Sequence, residues 1–321
     1  MKIGILGTGV FVIALSSILH KNGNDITMWT KFEDELNDLK NNRVRNNLNN
    51  FRISDDVMFT NDIKDACENK DIIYIAVPVD YVTDTCNKAI PYISNQHICI
   101  ASKGIEESSL MFLPDIVKKL FKTNRVGVIS GPTFAIDITN KAPIGLSLAS
   151  YNPETSEIIY KSLDNKFVKI FITNDVIGTC ICGAVKNILA IASGIVNGLG
   201  YPISTQAMLI TQSLHDVKEL INKLGGNGST ILSFAGFGDI ILTCTSEKSR
   251  NYMLGKIIGS RVDEEKINNY INNTTIEGLT ALKSFHNIIN DKHIDIPIIS
   301  QIYNIVYNKK DSSKLTELLT K

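Results

Sequence analysis

The chain has 321 residues, 44% hydrophobic and 21% charged, enough for two globular domains that each bury a core. Its 33 basic and 33 acidic residues cancel, so no global charge favours nucleic acid or an anionic membrane as a partner. Six cysteines, at 67, 86, 99, 180, 182 and 244, form no CxxC pair, and the five histidines show no ligand spacing. That pattern argues against a structural metal and for reduced thiols in a cytoplasmic protein.

The opening MKIGILGTG runs directly into a strand and a glycine turn, without the charged and then apolar pattern of a secretion signal. Residues 3–6 are expected to be a strand, Gly7-Thr8-Gly9 a turn, 11–22 a helix closed by Gly23, and 26–29 a second strand. A glycine turn between strand and helix presents backbone N–H groups and a helix N-terminus to a pyrophosphate. The dinucleotide fingerprint G-x-G-x-x-G has Val12 in place of its third glycine, so the helix is expected either to shift or to find a compensating gap. Where the fingerprint expects an acidic residue after the second strand, the chain has Thr30-Lys31. A hydroxyl and a cation suit a 2′-phosphate and tilt the expectation toward NADP(H), with NAD(H) as the alternative.

Further strands are expected at 71–77, 97–102, 126–130, 144–149 and 167–173, with helices such as 108–121 and 153–165 between them. This alternation predicts a largely parallel, doubly wound sheet with ligands beyond the carboxyl ends of its strands. Gly7-Thr8-Gly9, Lys31, Pro78, Lys103-Gly104 and Gly131-Pro132-Thr133 all fall at such ends.

After Thr173 the pattern is helical throughout. The stretch 176–197 carries Ile181, Val185, Ile188, Leu189, Ala192 and Ile195 at helical spacing, which predicts a helix buried over most of its circumference. It is as long as a transmembrane span, yet Lys186 and Asn187 would then lie near the bilayer centre, where a lysine costs roughly 2.5–3.5 kcal/mol. A core helix is the better expectation. Lys186 must then either stretch its stem to water or be held for chemistry. Residues 204–224 form an amphipathic helix capped by Gly225-Gly226, and a glycine-rich loop SFAGFGDIILTCTSEKSRN follows. Asp239 in that loop is a candidate buried carboxylate near Lys186. Ser249-Arg250-Asn251 is a candidate phosphate clamp before a helix at Tyr252.

In chain order, SKG at 102–104, GPTFA at 131–135, GAVKN at 183–187, GFGD at 236–239, LTCTS at 242–246, SRN at 249–251 and IEG at 276–278 resemble bacterial NAD(P)-dependent glycerol-3-phosphate dehydrogenases of the soluble type. The resemblance runs from Met1 to about Lys309. It implies a Rossmann-like α/β domain over 1–174 and an all-α catalytic domain over 175–321. By the same resemblance Lys186 is the general acid/base, Lys103 a second active-site lysine touching substrate and cofactor, and Asp239 the carboxylate against Lys186. Gly131, Thr133, Ser249, Arg250 and Asn251 would hold substrate together with Lys103, Lys186 and Asp239. Gly7, Gly9, Val10, Phe11, Lys31, Lys103, Ala135, Arg250 and Glu277 would hold the cofactor, NADP(H) or NAD(H). The implied reaction reduces dihydroxyacetone phosphate to sn-glycerol 3-phosphate for glycerophospholipid biosynthesis. Partners would be small molecules, not nucleic acid or membrane, and a homodimer is left open.

Several positions depart from the family pattern. The glycine turn usually reads close to GAGSWGTA and here reads GTGVFVIA, and Cys180, Cys182, Ser204, Gln206 and Gln212 replace more usual residues. Two alternatives follow: a related hydroxy-acid or phosphosugar dehydrogenase, and a non-catalytic dinucleotide-binding paralogue. Retention of Ser249-Arg250-Asn251 speaks against the first, and of Lys103, Lys186 and Asp239 against the second.

Overall fold

A computed structural model describes residues 1–320, the side chain of Asn46 excepted. Lys321, the last residue of the expected helical domain, lies outside the described residues. The chain forms two compact units, one of residues 1–103 and 112–176, the other of residues 104–111 and 177–321.

The first unit is built on an eight-stranded sheet. In chain order the strands are β1 (Lys2–Leu6), β2 (Asp25–Trp29), β3 (Val44–Arg45), β4 (Phe51–Arg52), β5 (Met58–Thr60), β6 (Ile72–Ile75), β7 (His97–Ile100), β8 (Val126–Ser130), β9 (Ile144–Ser150) and β10 (Val168–Thr173). The sheet order is β10-β9-β8-β7-β6-β1-β2-β5, and β3 and β4 form a separate small antiparallel pair. All sheet pairings are parallel except β8 with β9. Strands β6, β7 and β8 are buried along their whole length, and β1 from its second residue on. Continuous burial of this kind requires cover on both faces, which is why these strands are uninterrupted apolar runs. Strand order reverses at β1, whose neighbours are β2 and β6, so the carboxyl end of β1 is the switch point of the sheet.

Val12 is part of the core. It is 1% exposed, in the same buried cluster as Ile3, Ile5, Ile13 and Ile138. The sequence expectation of a helix over 108–121 is shortened to Leu113–Phe121, because 104–111 belongs with the helical unit. The helix over 153–165 ends at Leu163. Strand β5 and the β3–β4 pair, with two or three residues each, are too short to show a period in the sequence.

The second unit is helical and centres on Val176–Gly198. This is the one helix among the described residues long and apolar enough to cross a membrane, and 89% of its apolar window is buried inside the protein. Its closest neighbour is the helix Arg250–Gly259. A Cβ at Gly194 would lie 2.0 Å from the Tyr252 carbonyl oxygen, one at Gly198 2.2 Å from that of Lys256, one at Gly255 1.9 Å from that of Ile191, and one at Gly259 2.2 Å from that of Ile195. Each helix thus offers glycines four residues apart to the other's backbone. The loop expected after residue 224 is mostly helical: a wide π-type turn over Phe234–Gly238 runs into the helix Asp239–Cys244. Its glycines mask helical periodicity in the sequence, and Gly236 takes non-helical angles (φ −87°, ψ −108°) against the Ile231 carbonyl.

Gly255→Ala should therefore force the two helices apart. Overpacking of this kind typically costs about 1–3 kcal/mol and sometimes more. Thermal or urea unfolding should show a loss at the upper end of that range. An unchanged midpoint would mean that the helices can separate freely.

Candidate active site

In the sheet unit, the turn after β1 is shaped for a nucleotide. Gly7 has φ +124° and lies against the Ala76 carbonyl, 2.8 Å from where a Cβ would be, so a side chain is excluded both by conformation and by space. Gly9 caps the helix Val10–Lys21 with no side-chain hydrogen bond to the helix, and a Cβ there would meet nothing within 4 Å. The helix whose first amides are those of Val10 and Phe11 thus starts at the switch point beside open space at Gly9. Backbone donors with no side chain in the way are what a pyrophosphate requires.

The surroundings of this turn are more acidic than the sequence suggested. Glu35, in the first turn of the helix Glu33–Asn42, accepts hydrogen bonds from Thr8 Oγ1 at 2.8 Å and Thr30 Oγ1 at 2.6 Å, and pairs with Arg45. Arg45 also donates to the Thr8 carbonyl at 2.7 Å. Burial pushes the Glu35 carboxyl up, but the hydrogen bonds from Thr30, Thr8 and Arg45 outweigh it and hold its pKa below the usual value. Thr30 is 3% exposed, with its hydroxyl given to Glu35. Lys31 is exposed, its ammonium 4.2 Å from the centre of the Tyr81 ring and 4.9 Å from that of Phe32.

The other sheet-unit candidates lie in loops after strands. Ser102 follows β7 and donates to the Val77 carbonyl at 2.5 Å, tying the half-buried Lys103 segment to the loop after β6. Gly104, with φ +144°, completes that bend. A Cβ on Gly131 would sit 2.4 Å from the Gly145 carbonyl oxygen, and Thr133 donates a long 3.4 Å hydrogen bond back to the Gly131 carbonyl. Ala135 opens the short helix Ala135–Thr139.

In the helical unit, the long central helix carries Lys186 to an ion pair. Its Nζ lies 2.7 Å from Asp239 Oδ1 and 3.3 Å from Thr243 Oγ1. The Lys186 side chain is 13% exposed and that of Asp239 1%, so the lysine keeps slight access to solvent while the carboxylate is buried. Asp239 is the first residue of its helix, and Thr243 one turn later donates to the Asp239 carbonyl at 2.6 Å. Cys244 is wholly buried, and burial pushes its thiol far above the usual range, so it adds no charge to this site.

One residue along the central helix, Asn187 starts a second network. Its amide donates to Glu277 Oε2 at 3.2 Å and its carbonyl oxygen accepts from Asn251 Nδ2 at 3.0 Å. The Asn251 oxygen accepts from Gly278 N at 2.9 Å. Ser249 is 6% exposed and caps the helix Arg250–Gly259 by accepting from Tyr252 N at 3.2 Å. Of the expected clamp, Ser249 and Asn251 have their side chains engaged within the unit, and Arg250 is exposed.

Sequence reasoning missed Glu35 and Arg45, and it gave no role to the side chains of Thr8 and Thr243 within the motifs that contain them. Thr243 stands four residues after Asp239 and would have been found had that stretch been taken as a helix. Nothing in the linear pattern joins Glu35 to Thr8, which are 27 residues apart.

A glycine turn that fits a pyrophosphate at the switch point of a mostly parallel sheet, joined to a helical unit, defines the class of NAD(P)-dependent dehydrogenases. Within that class the sequence matches the NAD-dependent glycerol-3-phosphate dehydrogenase N-terminus over residues 2–156 and the corresponding C-terminus over residues 175–317. It is 33% identical over 319 residues to a glycerol-3-phosphate dehydrogenase [NAD(P)+] of Fusobacterium nucleatum, covering 98% of this chain and 95% of the relative. A Staphylococcus haemolyticus enzyme of the same name is 32% identical, with 98% and 96% covered. The crystal structure of glycerol-3-phosphate dehydrogenase from Coxiella burnetii superposes with a TM-score of 0.93 at 30% identity, covering 100% of this chain and 99% of that one. The chain belongs to the NAD-dependent glycerol-3-phosphate dehydrogenase family.

The buried pair has a consequence for stability. The sequence makes Lys186→Ala look harmless to the fold on a helix that favours alanine, but the change takes the ammonium away from the buried carboxylate of Asp239. Removing one member of such a pair typically costs about 3–5 kcal/mol. Lys186→Ala should lose that much in chemical denaturation, and adding Asp239→Ala should recover most of it. A double variant no more stable than Lys186→Ala would show that the pair does not act as a unit.

Proposed function

We propose that this chain reduces dihydroxyacetone phosphate to sn-glycerol 3-phosphate, and catalyses the reverse oxidation, with Lys186 as the proton carrier. The observation that carries this reading is the Lys186–Asp239 pair: an ammonium fixed by a buried carboxylate, on a lysine whose side chain is 13% exposed. The names of the relatives supply the substrate, and Arg250 supplies a cation suited to its phosphate.

The bound nicotinamide nucleotide supplies the hydride in reduction. As hydride adds to the carbonyl carbon at C2, the electron pair of the C=O bond moves to oxygen, and Lys186 Nζ gives that oxygen a proton. Asp239 and Thr243 orient the ammonium so that one N–H remains for the reacting oxygen. The neutral amine is reprotonated from solvent, and oxidation reverses each transfer. Asn187, Asn251 and Glu277 hold the turn of the central helix next to Lys186. Ser249 fixes the start of the helix from which Arg250 projects. In the sheet unit, Gly7, Gly9, Val10 and Phe11 receive the pyrophosphate and Ala135 adds to the cofactor site; in the helical unit, the family resemblance assigns Glu277 and Arg250 to the cofactor. Gly131 and Thr133 contribute to substrate binding, and Lys103 serves both ligands.

The product is the backbone of glycerophospholipids, and supplying it for their biosynthesis is the role we assign. A cytoplasmic setting is supported by six free cysteines, with Cys67 and Cys86 pushed up to about 12 by burial. The domain assignment that goes with this reading is 1–174 around the glycine turn and 175–321 around the proton carrier, with 104–111 packed into the helical unit.

Purified protein should oxidise a reduced nicotinamide nucleotide with dihydroxyacetone phosphate and far more slowly with dihydroxyacetone. Lys186→Arg keeps the charge beside Asp239 but cannot release its proton, so kcat should fall by about 10²–10⁴-fold. A variant within a few-fold of wild type, at full substrate saturation, would remove Lys186 from the chemistry.

A further inference from the structure

We propose that Glu35 sets the nucleotide preference of this chain, accepting hydrogen bonds from the adenosine ribose hydroxyls of NAD(H) and disfavouring the 2′-phosphate of NADP(H). This rests on the reading that the glycine turn binds a nicotinamide dinucleotide, and it reverses the preference that Thr30-Lys31 suggested in the sequence.

The fingerprint for this fold places a carboxylate at the end of β2, about 20 residues after the glycines, where it meets the ribose diol. Here that position holds Thr30, but the first turn of the next helix brings Glu35 back to it. Glu35 is hydrogen-bonded to Thr30 itself, at the end of β2, and to Thr8, in the turn after β1. The carboxylate therefore stands at the carboxyl ends of both strands, and its side chain is 25% exposed. A carboxylate offers about four acceptor positions. Oε2 takes the two threonine hydroxyls and Oε1 takes Arg45, which leaves Oε1 able to accept one more donor.

A ribose hydroxyl has a proton to give to that oxygen. A 2′-phosphate has a charge of about −1.5 to −2 at neutral pH and no such proton to offer. It would meet the Glu35 carboxylate, in a helical turn that also carries Glu33 and Asp34. The opposing cations are weakly placed. Arg45 is already neutralised by Glu35 and bonded to the Thr8 carbonyl. Lys31 is exposed and lies over the rings of Tyr81 and Phe32, where its attraction for a phosphate is screened. Thr30 has no hydroxyl proton to spare, having given it to Glu35.

The test is calorimetric titration of the full-length protein with ADP-ribose and with 2′-phospho-ADP-ribose, for wild type, Glu35→Gln and Lys31→Ala. Wild type should bind ADP-ribose at least about tenfold more tightly than its 2′-phosphate, and Glu35→Gln should narrow that ratio by about tenfold. Glutamine still accepts from both threonines, so a merely structural loss would weaken the two ligands alike and leave their ratio fixed. Lys31→Ala should change the ratio by less than Glu35→Gln does. The inference is overturned if wild type binds the 2′-phosphate equally or better, a result that decides the matter even should Glu35→Gln fold poorly, or if the ratio survives Glu35→Gln. Folded protein that binds neither ligand would overturn the dinucleotide reading itself.

Discussion

An ammonium and a carboxylate 2.7 Å apart, with the carboxylate 1% exposed, constrain the helical unit more than any other feature. Removing two charges from water costs several kcal/mol each, and a buried pair is often no more stable than apolar residues of the same volume. Such a pair survives only where the backbone fixes both partners and further groups satisfy the remaining valences. The unit supplies this from four sides. The central helix fixes Lys186, the wide turn ending at Gly238 aims Asp239, Thr243 stands one turn on, and the Asn187–Asn251–Glu277 network locks the adjacent residue. The glycine contacts with the helix Arg250–Gly259 bring backbones close enough for that network to form.

The sheet unit solves a different problem with the same economy of charge. Its ligand end is built from backbone donors, and its carboxylate at Glu35 is matched by Arg45 and two threonines. The departures from the family pattern look less damaging in three dimensions. Val12 is a core residue, buried with Ile3, Ile5 and Ile138, so helix and strand have settled around it. Gln206 is 3% exposed and accepts from Ser193 on the central helix, which makes it part of the helical packing.

Much of this was legible in the sequence, and where it was not the reason is physical. The alternation of buried strands and helices, the glycine turn and the long apolar helix with its lysine all carry strong local periodicity, and their elements appear within a few residues of expectation. Two features were not legible. The stretch from Phe234 to Cys244 is rich in glycine and was expected to be a loop, yet Gly236 is there because the Ile231 carbonyl leaves no room for a Cβ. The fingerprint expects an acidic residue at the end of β2, where the chain has the hydroxyl of Thr30. That hydroxyl is committed to Glu35, a contact set by the entry angle of a helix and invisible to any spacing rule. Pairing of Lys186 with Asp239, 53 residues apart, was anticipated from the apolar setting of that carboxylate and again from the family's motifs.

The central claim is that Lys186 moves the proton while Asp239 holds it in place. The most direct measurement is a crystal structure of the complex with oxidised nicotinamide nucleotide and sn-glycerol 3-phosphate. The account predicts Lys186 Nζ within about 3 Å of the C2 hydroxyl oxygen while it remains paired with Asp239, as proton transfer requires. A C2 hydroxyl contacted by some other acid or base, with Lys186 beyond hydrogen-bond reach, would contradict it.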